Sequence, residues 1–207
     1  MNPAPRAEAD GSAAHGAEDL AGYEAVVCVC GGIAAYKTAG LVSALVQRGA
    51  GVTVAMTDAA QRFITPLTFE SLTARQVFTG LWQSSISHDP QHLRLTEAAD
   101  VMVIAPATAN IIGKIAHGLA DDLVSTMAMS AACARVLAPA MNSRMWENPV
   151  VQANLKALVE RGWTTVPPGE GWLACRTIGA GRMAEPEAIL ADVAAILKRS
   201  SPKRVAR

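Results

Sequence analysis

The segment AVVCVCGGIAAYK, residues 25–37, decides how the rest of the chain is read. Its first six residues are apolar without alternation. That pattern suits a strand buried on both faces of a parallel sheet, which has no solvent side to carry polar residues. Two glycines follow, and then a segment with helical spacing. Strand, glycine turn and helix start together make the opening of a strand–helix–strand unit.

The same alternation continues outward. Apolar runs recur at VTVAM (52–56), VMVIA (101–105), RVLAPA (135–140) and, more weakly, WTTV (163–166). Helical patterns fill the gaps, over 33–48, 66–73, 93–99, 109–117, 121–131, 149–161 and 186–197. Pro149 and Pro186 stand where a first helical turn tolerates proline, and Gly49, Gly118 and Gly162 stand where a left-handed terminator is wanted. Alternating strands and helices with right-handed crossovers predict a doubly wound α/β domain, Rossmann-like or flavodoxin-like, with helices on both faces of a parallel sheet. The expected domain covers 25–197. Residues 1–24 and the basic segment 198–207 lack periodicity and read as tails.

Composition narrows the partners. The 207 residues carry 18 Lys plus Arg against 18 Asp plus Glu, so no net basic face is expected for nucleic acid or an anionic membrane. Charged residues make up 17% of the chain, well under the usual quarter, which suggests surface covered by other subunits. Cys28, Cys30, Cys133 and Cys175 have no zinc spacing, so no metal site is expected. The acidic, proline-bearing N-terminus does not look like a secretion signal, and the expected location is the reducing cytoplasm.

Ligands of such sheets bind outside the carboxyl ends of the strands, and four of these ends are unusual. Gly31, Gly32 and Ile33 follow the first, offering free N–H groups and a helix dipole to a phosphate; a plain tight turn is the alternative. Thr57 follows the second, where a dinucleotide ribose site would want an acidic residue. Thr108, Ala109 and Asn110 follow the third and Asn142 the fourth, each serving equally well as helix caps. The glycine-rich segment 169–186 is long for a connection and reads as a lid carrying Cys175. His92 opens HLRLTEAAD just before the third strand, where a solvated or capping role is the alternative.

Taken in order, GGIAAYK (31–37), HLRLTEAAD (92–100), APATANIIGKIAHGLADDL (105–123), PAMNSRMW (139–146) and LACRTIGAGRM (173–183) resemble the homo-oligomeric flavin-containing cysteine decarboxylase family. The resemblance covers about residues 25–197. It implies FMN as cofactor, held by Gly31, Gly32, Ile33, Thr57, Thr108, Ala109 and Asn110. It implies His92 as active-site base, Cys175 as the proton donor to the reduced intermediate, and Asn142 holding the substrate carboxylate; Met145 is a further candidate at the substrate, and Arg176, outside the family pattern, a candidate for contact with its phosphate. The nearest members convert 4'-phosphopantothenoylcysteine to 4'-phosphopantetheine in coenzyme A biosynthesis. Relatives that decarboxylate peptidyl cysteines, and flavin-binding regulatory subunits without catalysis, are the alternatives. A homotrimer or a dodecamer of trimers is expected, with a separate phosphopantothenoylcysteine ligase.

The residue types suit that chemistry. A cysteine carboxylate has no electron sink, so its thiol carbon is first oxidised to a thioaldehyde, carbon dioxide leaves, and the ene-thiol is reduced again. An imidazole is mostly neutral at cytosolic pH and takes the thiol proton, and a thiol is mostly protonated there and gives one back. Two residues depart from the pattern. Cys30 stands where relatives have Ser, Thr or Gly, and Arg176 stands where they have Gly. If that glycine serves a positive φ, Arg176 is strained.

Overall fold

The computed structural model describes residues 18–82 and 91–203, the side chains of Gln91 and His92 excepted. Five parallel strands form the sheet: β1 (Glu24–Val29), β2 (Gly51–Met56), β3 (Val101–Ala107), β4 (Ala134–Pro139) and β5 (Trp163–Thr165). Their spatial order is β2-β1-β3-β4-β5, the flavodoxin-like order, in which the winding reverses between β1 and β3. All five sit on the apolar runs read from the sequence. The period of two divides each strand between two cores. Ala25, Val27 and Val29 face one, while Val26 and Cys28 face the other, and all five are buried.

Helices cover both faces. Helices α1 (Ala35–Gln47), α2 (Pro66–Thr73) and α8 (Pro186–Leu197) pack on one side. Helices α3 (Gln91–Ala98), α4 (Ala109–Ala116), α5 (Leu123–Ser130) and α7 (Pro149–Glu160) pack on the other, and a short α6 (Ser143–Trp146) follows β4. The three expected terminators, Gly49, Gly118 and Gly162, have φ of 86°, 71° and 87°. Helix α1 begins two residues later than its pattern suggests, because residues 32–37 first make tight turns such as Ala35 N–H to Gly32 O at 2.9 Å. Helix α5 begins at Leu123, with Asp122 capping it.

Two expectations are corrected. Residues 169–186 are not a plain loop: β6 (Gly169–Trp172) and β7 (Ile178–Arg182) pair as an antiparallel ribbon with Trp172 opposite Ile178. Four glycines in this stretch removed the alternation by which strands are recognised in sequence. The packed body also extends beyond 25–197. Leu20 is fully buried, and the Tyr23 hydroxyl donates to Ser200 O at 2.7 Å. The Asp100 carboxylate accepts from the amides of Glu24 and Lys203, both at 2.8 Å. One leucine, one tyrosine and one carboxylate at the sheet's lower edge carry this clasp, too few to register as periodicity.

Candidate functional site

A cavity of about 1140 Å³ opens at the carboxyl ends of β1 to β4, beside the reversal of winding, and the β6–β7 ribbon forms its outer wall. Its volume exceeds that of an ordinary single-ligand pocket, leaving room for a cofactor and a substrate together.

The inner wall begins at the β1 turn. A Cβ on Gly31 would stand 2.4 Å from the Ala59 Cβ and 2.9 Å from its carbonyl carbon, so this position tolerates glycine alone. Gly32 and Ile33 line the cavity next to it. Ala34, the N-cap of α1, has no side chain able to cap, and the amides of Gly32, Ile33 and Ala34 have no acceptor among the described residues. Helices α4, α5, α6 and α7, in contrast, are each closed by a side-chain cap. Uncapped amides at the positive end of a 13-residue helix, facing a cavity, are suited to an anionic group such as a phosphate.

Thr57 and Thr108 line the same wall and also cap. The Thr57 hydroxyl accepts from Ala60 N–H at 3.2 Å, and the Thr108 hydroxyl from Ile111 N–H at 3.3 Å. Ala109 and Asn110 follow at the start of α4 and line the cavity beside Thr108. Cys30 is buried at the end of β1, and burial pushes its thiol far above the ordinary range, so it stays un-ionised.

Asn142 and Met145 belong to the wall after β4. The Asn142 side-chain oxygen accepts from Met145 N–H at 3.0 Å, which caps α6 and leaves the amide NH₂ as donor. The capping role and the ligand-facing role therefore coexist on one side chain. Cys175 lies at the ribbon tip, exposed and on the cavity, with its sulfur 3.1 Å from the Thr177 hydroxyl. Its neighbour Arg176 has φ of 64°, the positive value foreseen for a glycine position, and is not among the residues that line the cavity. His92 occupies the second position of α3, the helix leading into β3, and its side chain lies outside the described residues.

Two ion-pair groups were missed by sequence reasoning. Lys37, nearly buried on α1, meets both Glu185 oxygens at 2.9 and 3.0 Å, and Arg182 of β7 reaches the same carboxylate at 2.8 Å. The Lys37 ammonium holds the Glu185 carboxyl below the usual range. Lys114 on α4 meets Asp121 at 2.7 Å and Asp122 at 2.6 Å, and these pairings raise its ammonium. Lys37, Arg182, Lys114, Asp121 and Asp122 all line the cavity. The available signal was a lysine inside an otherwise apolar helical segment, AYKTAGLV in one case and NIIGKIA in the other. No cluster of metal-ligating side chains occurs among the described residues, and no helix there is long and apolar enough to cross a membrane.

Known proteins resemble this chain in sequence and fold. The coenzyme A biosynthesis bifunctional protein CoaBC of Bacillus subtilis (strain 168) is 44% identical over 165 residues, covering 80% of this chain and 41% of the relative. The chain thus spans about two-fifths of the length of such curated relatives. A solved PPC decarboxylase, the mutant C175S complexed with pantothenoylaminoethenethiol, superposes with a TM-score of 0.77 at 32% identity, covering 86% of this chain and 99% of that one. The FMN-dependent cysteine decarboxylase SpaF gives a TM-score of 0.77 at 30% identity, with 87% and 98% covered. Since the Flavoprotein family model matches residues 14–198, nearly all of the folded body, the chain belongs to the flavoprotein family of flavin-containing cysteine decarboxylases.

Proposed function

We propose that the protein decarboxylates 4'-phosphopantothenoylcysteine to 4'-phosphopantetheine in coenzyme A biosynthesis, with FMN as cofactor. The observation that carries this reading is the meeting, on one cavity, of an uncapped glycine turn with Asn142 and Cys175. FMN suits the inner wall: Gly31, Gly32, Ile33 and Thr57 offer amides and a hydroxyl to an anion, and Thr108, Ala109 and Asn110 stand beside them. When bound, FMN supplies the two-electron acceptor and donor that a cysteine carboxylate lacks.

The chain's own groups do the rest. His92 takes the thiol proton of the substrate. Asn142, with Met145 beside it, donates its amide N–H to the substrate carboxylate, orienting it without a positive charge that would resist its departure as carbon dioxide. The ribbon screens the cavity from water. Cys175 then gives its proton to the carbon that lost the carboxylate, and the two electrons that the saturated product also requires would come from the flavin.

Ile33, Tyr36, Met145 and Trp172 line the cavity yet are 57%, 60%, 42% and 63% exposed. Apolar exposure at the rim supports the expectation that neighbouring copies complete the site, as in a trimer-based assembly. The bifunctional name of the CoaBC relatives supports a second activity acting alongside, for which a separate phosphopantothenoylcysteine ligase is the candidate, and the proposed setting is cytoplasmic.

The test is to purify the protein, record bound-flavin absorbance, and assay carbon dioxide release from 4'-phosphopantothenoylcysteine beside a cysteine-ending peptide. Bound flavin with release from the small substrate is expected, and colourless, inactive protein would overturn the reading. Cys175→Ser should release carbon dioxide and stall at the ene-thiol; ordinary saturated product from it would remove the proton-donor role.

A further inference from the structure

Asn142 is bracketed by two hydrogen bonds to the ribbon. The residue before it, Met141, donates its amide to Gly181 O at 2.9 Å. The residue after it, Ser143, donates its hydroxyl to Ala180 O at 2.8 Å. Glycines make room for this seam: a Cβ on Gly179 would stand 2.3 Å from Ser143 Oγ, and one on Gly181 would stand 2.4 Å from Met141 O. Ser143 itself is not among the residues lining the cavity, so it has no direct contact to offer a ligand there. Strand β7, held by the seam, pairs with β6, and the turn between them carries Cys175.

We propose that Ser143 is a positioning residue that fixes the spacing between Asn142 and Cys175. The proposal rests on the roles given to those two residues above. Carbon dioxide leaves from the carbon that is next protonated, so the group holding the carboxylate and the acid that follows must address one carbon in succession. A seam that makes Asn142 and the ribbon one unit does this. Loosening it lets the ene-thiol escape before Cys175 delivers its proton, while carbon dioxide loss continues.

The decisive pair is Ser143→Val and Ser143→Thr, close in volume and different in the hydroxyl. The readouts are the ratio of ene-thiol to saturated product, KM, and amide exchange across residues 170–182. Losing one hydrogen bond should raise the product ratio about three- to tenfold in the valine variant, leave KM nearly unchanged, and speed exchange in the ribbon. The threonine variant should restore all three. An unchanged ratio in the valine variant, or an equal rise in both variants, overturns the proposal. Should the wild type release no carbon dioxide, the functional reading fails by itself, and exchange then decides the seam: equal exchange in both variants overturns it, and faster exchange with valine alone supports it. If the valine variant does not fold, Ser143→Ala is read the same way.

Discussion

Gly31 and Gly181 stand on opposite walls of one cavity, and a side chain is barred from each for a different reason. At Gly31 the obstacle is Ala59, pressed against the end of β1 by the turn that follows β2. At Gly181 the obstacle is the Met141 carbonyl, and the backbone itself has φ of 108°. The first wall is an outgrowth of the core: Val29, Cys30 and Met56 beside it are buried. The second is stitched over solvent by single hydrogen bonds, and Trp172 and Ile178 on it are 63% and 79% exposed. A site built this way has a rigid side suited to holding a resident cofactor and a looser side suited to substrate entry and product release.

Substitution on the two sides should therefore separate two properties. Gly31→Val is expected to have the largest effect, because the branched side chain must displace Ala59 and the turn that carries it. Overpacking of this kind costs about 1–3 kcal/mol or more. The variant should unfold at lower urea and purify without flavin. Gly181→Ala should keep its flavin and lower the yield of saturated product, with a much smaller shift in urea midpoint. Equal flavin loss in both variants would erase the distinction between the walls.

The same contrast governs what was legible in the sequence. The central strands of the main sheet announced themselves through apolar runs because they are buried on both faces, and the edge strand β5, buried only at Trp163, gave the weakest run. The ligand-facing residues at their ends were legible for a related reason, since Gly31, Thr57, Thr108 and Asn142 interrupt those runs with small or polar groups at fixed places. The ribbon was not legible as strands, because GEGW and IGAGR bury little and so carry no period. The clasp of residues 18–24 with 198–203, and the Lys37–Glu185–Arg182 group, depend on partners distant in the chain, and no local pattern encodes them. Arg176 is an intermediate case: its strain was foreseen from the residue type, while its place outside the cavity wall was not.

Glu185 is where the two walls meet, joining Lys37 of α1 to Arg182 of β7 through a carboxylate that offers no cap to its own helix. Its folded-state pKa is depressed, first by Lys37, so its contribution is present above the ordinary glutamate value of about 4.3 and is lost as pH falls through the lower folded value. The urea midpoints of wild type and Glu185→Gln should differ at pH 7 and converge as the pH falls below the ordinary glutamate value and through the lower folded one. The difference should be modest, since the carboxylate is half exposed and solvent screens it. A gap that persists at low pH would assign the effect of the substitution to packing instead of charge.

The smallest effect belongs to Arg176→Gly. A left-handed backbone costs a non-glycine residue about 1–2 kcal/mol, and glycine removes that cost while adding freedom to the unfolded chain worth roughly 0.5–1 kcal/mol. The net gain is about 0–1.5 kcal/mol and confined to a turn that opens locally before the core does. Global unfolding should barely move, and proteolytic nicking at the ribbon tip should slow. Because Arg176 lies off the cavity wall, KM for 4'-phosphopantothenoylcysteine should stay within twofold of wild type, about 0.4 kcal/mol by the usual tenfold-per-1.4 relation. A tenfold rise in KM, absent for the unphosphorylated analogue, would mean that the tip swings its guanidinium onto the phosphate during turnover. In that case the ribbon would contribute to binding as well as to proton delivery, and the division between a holding wall and a releasing wall would have to be redrawn.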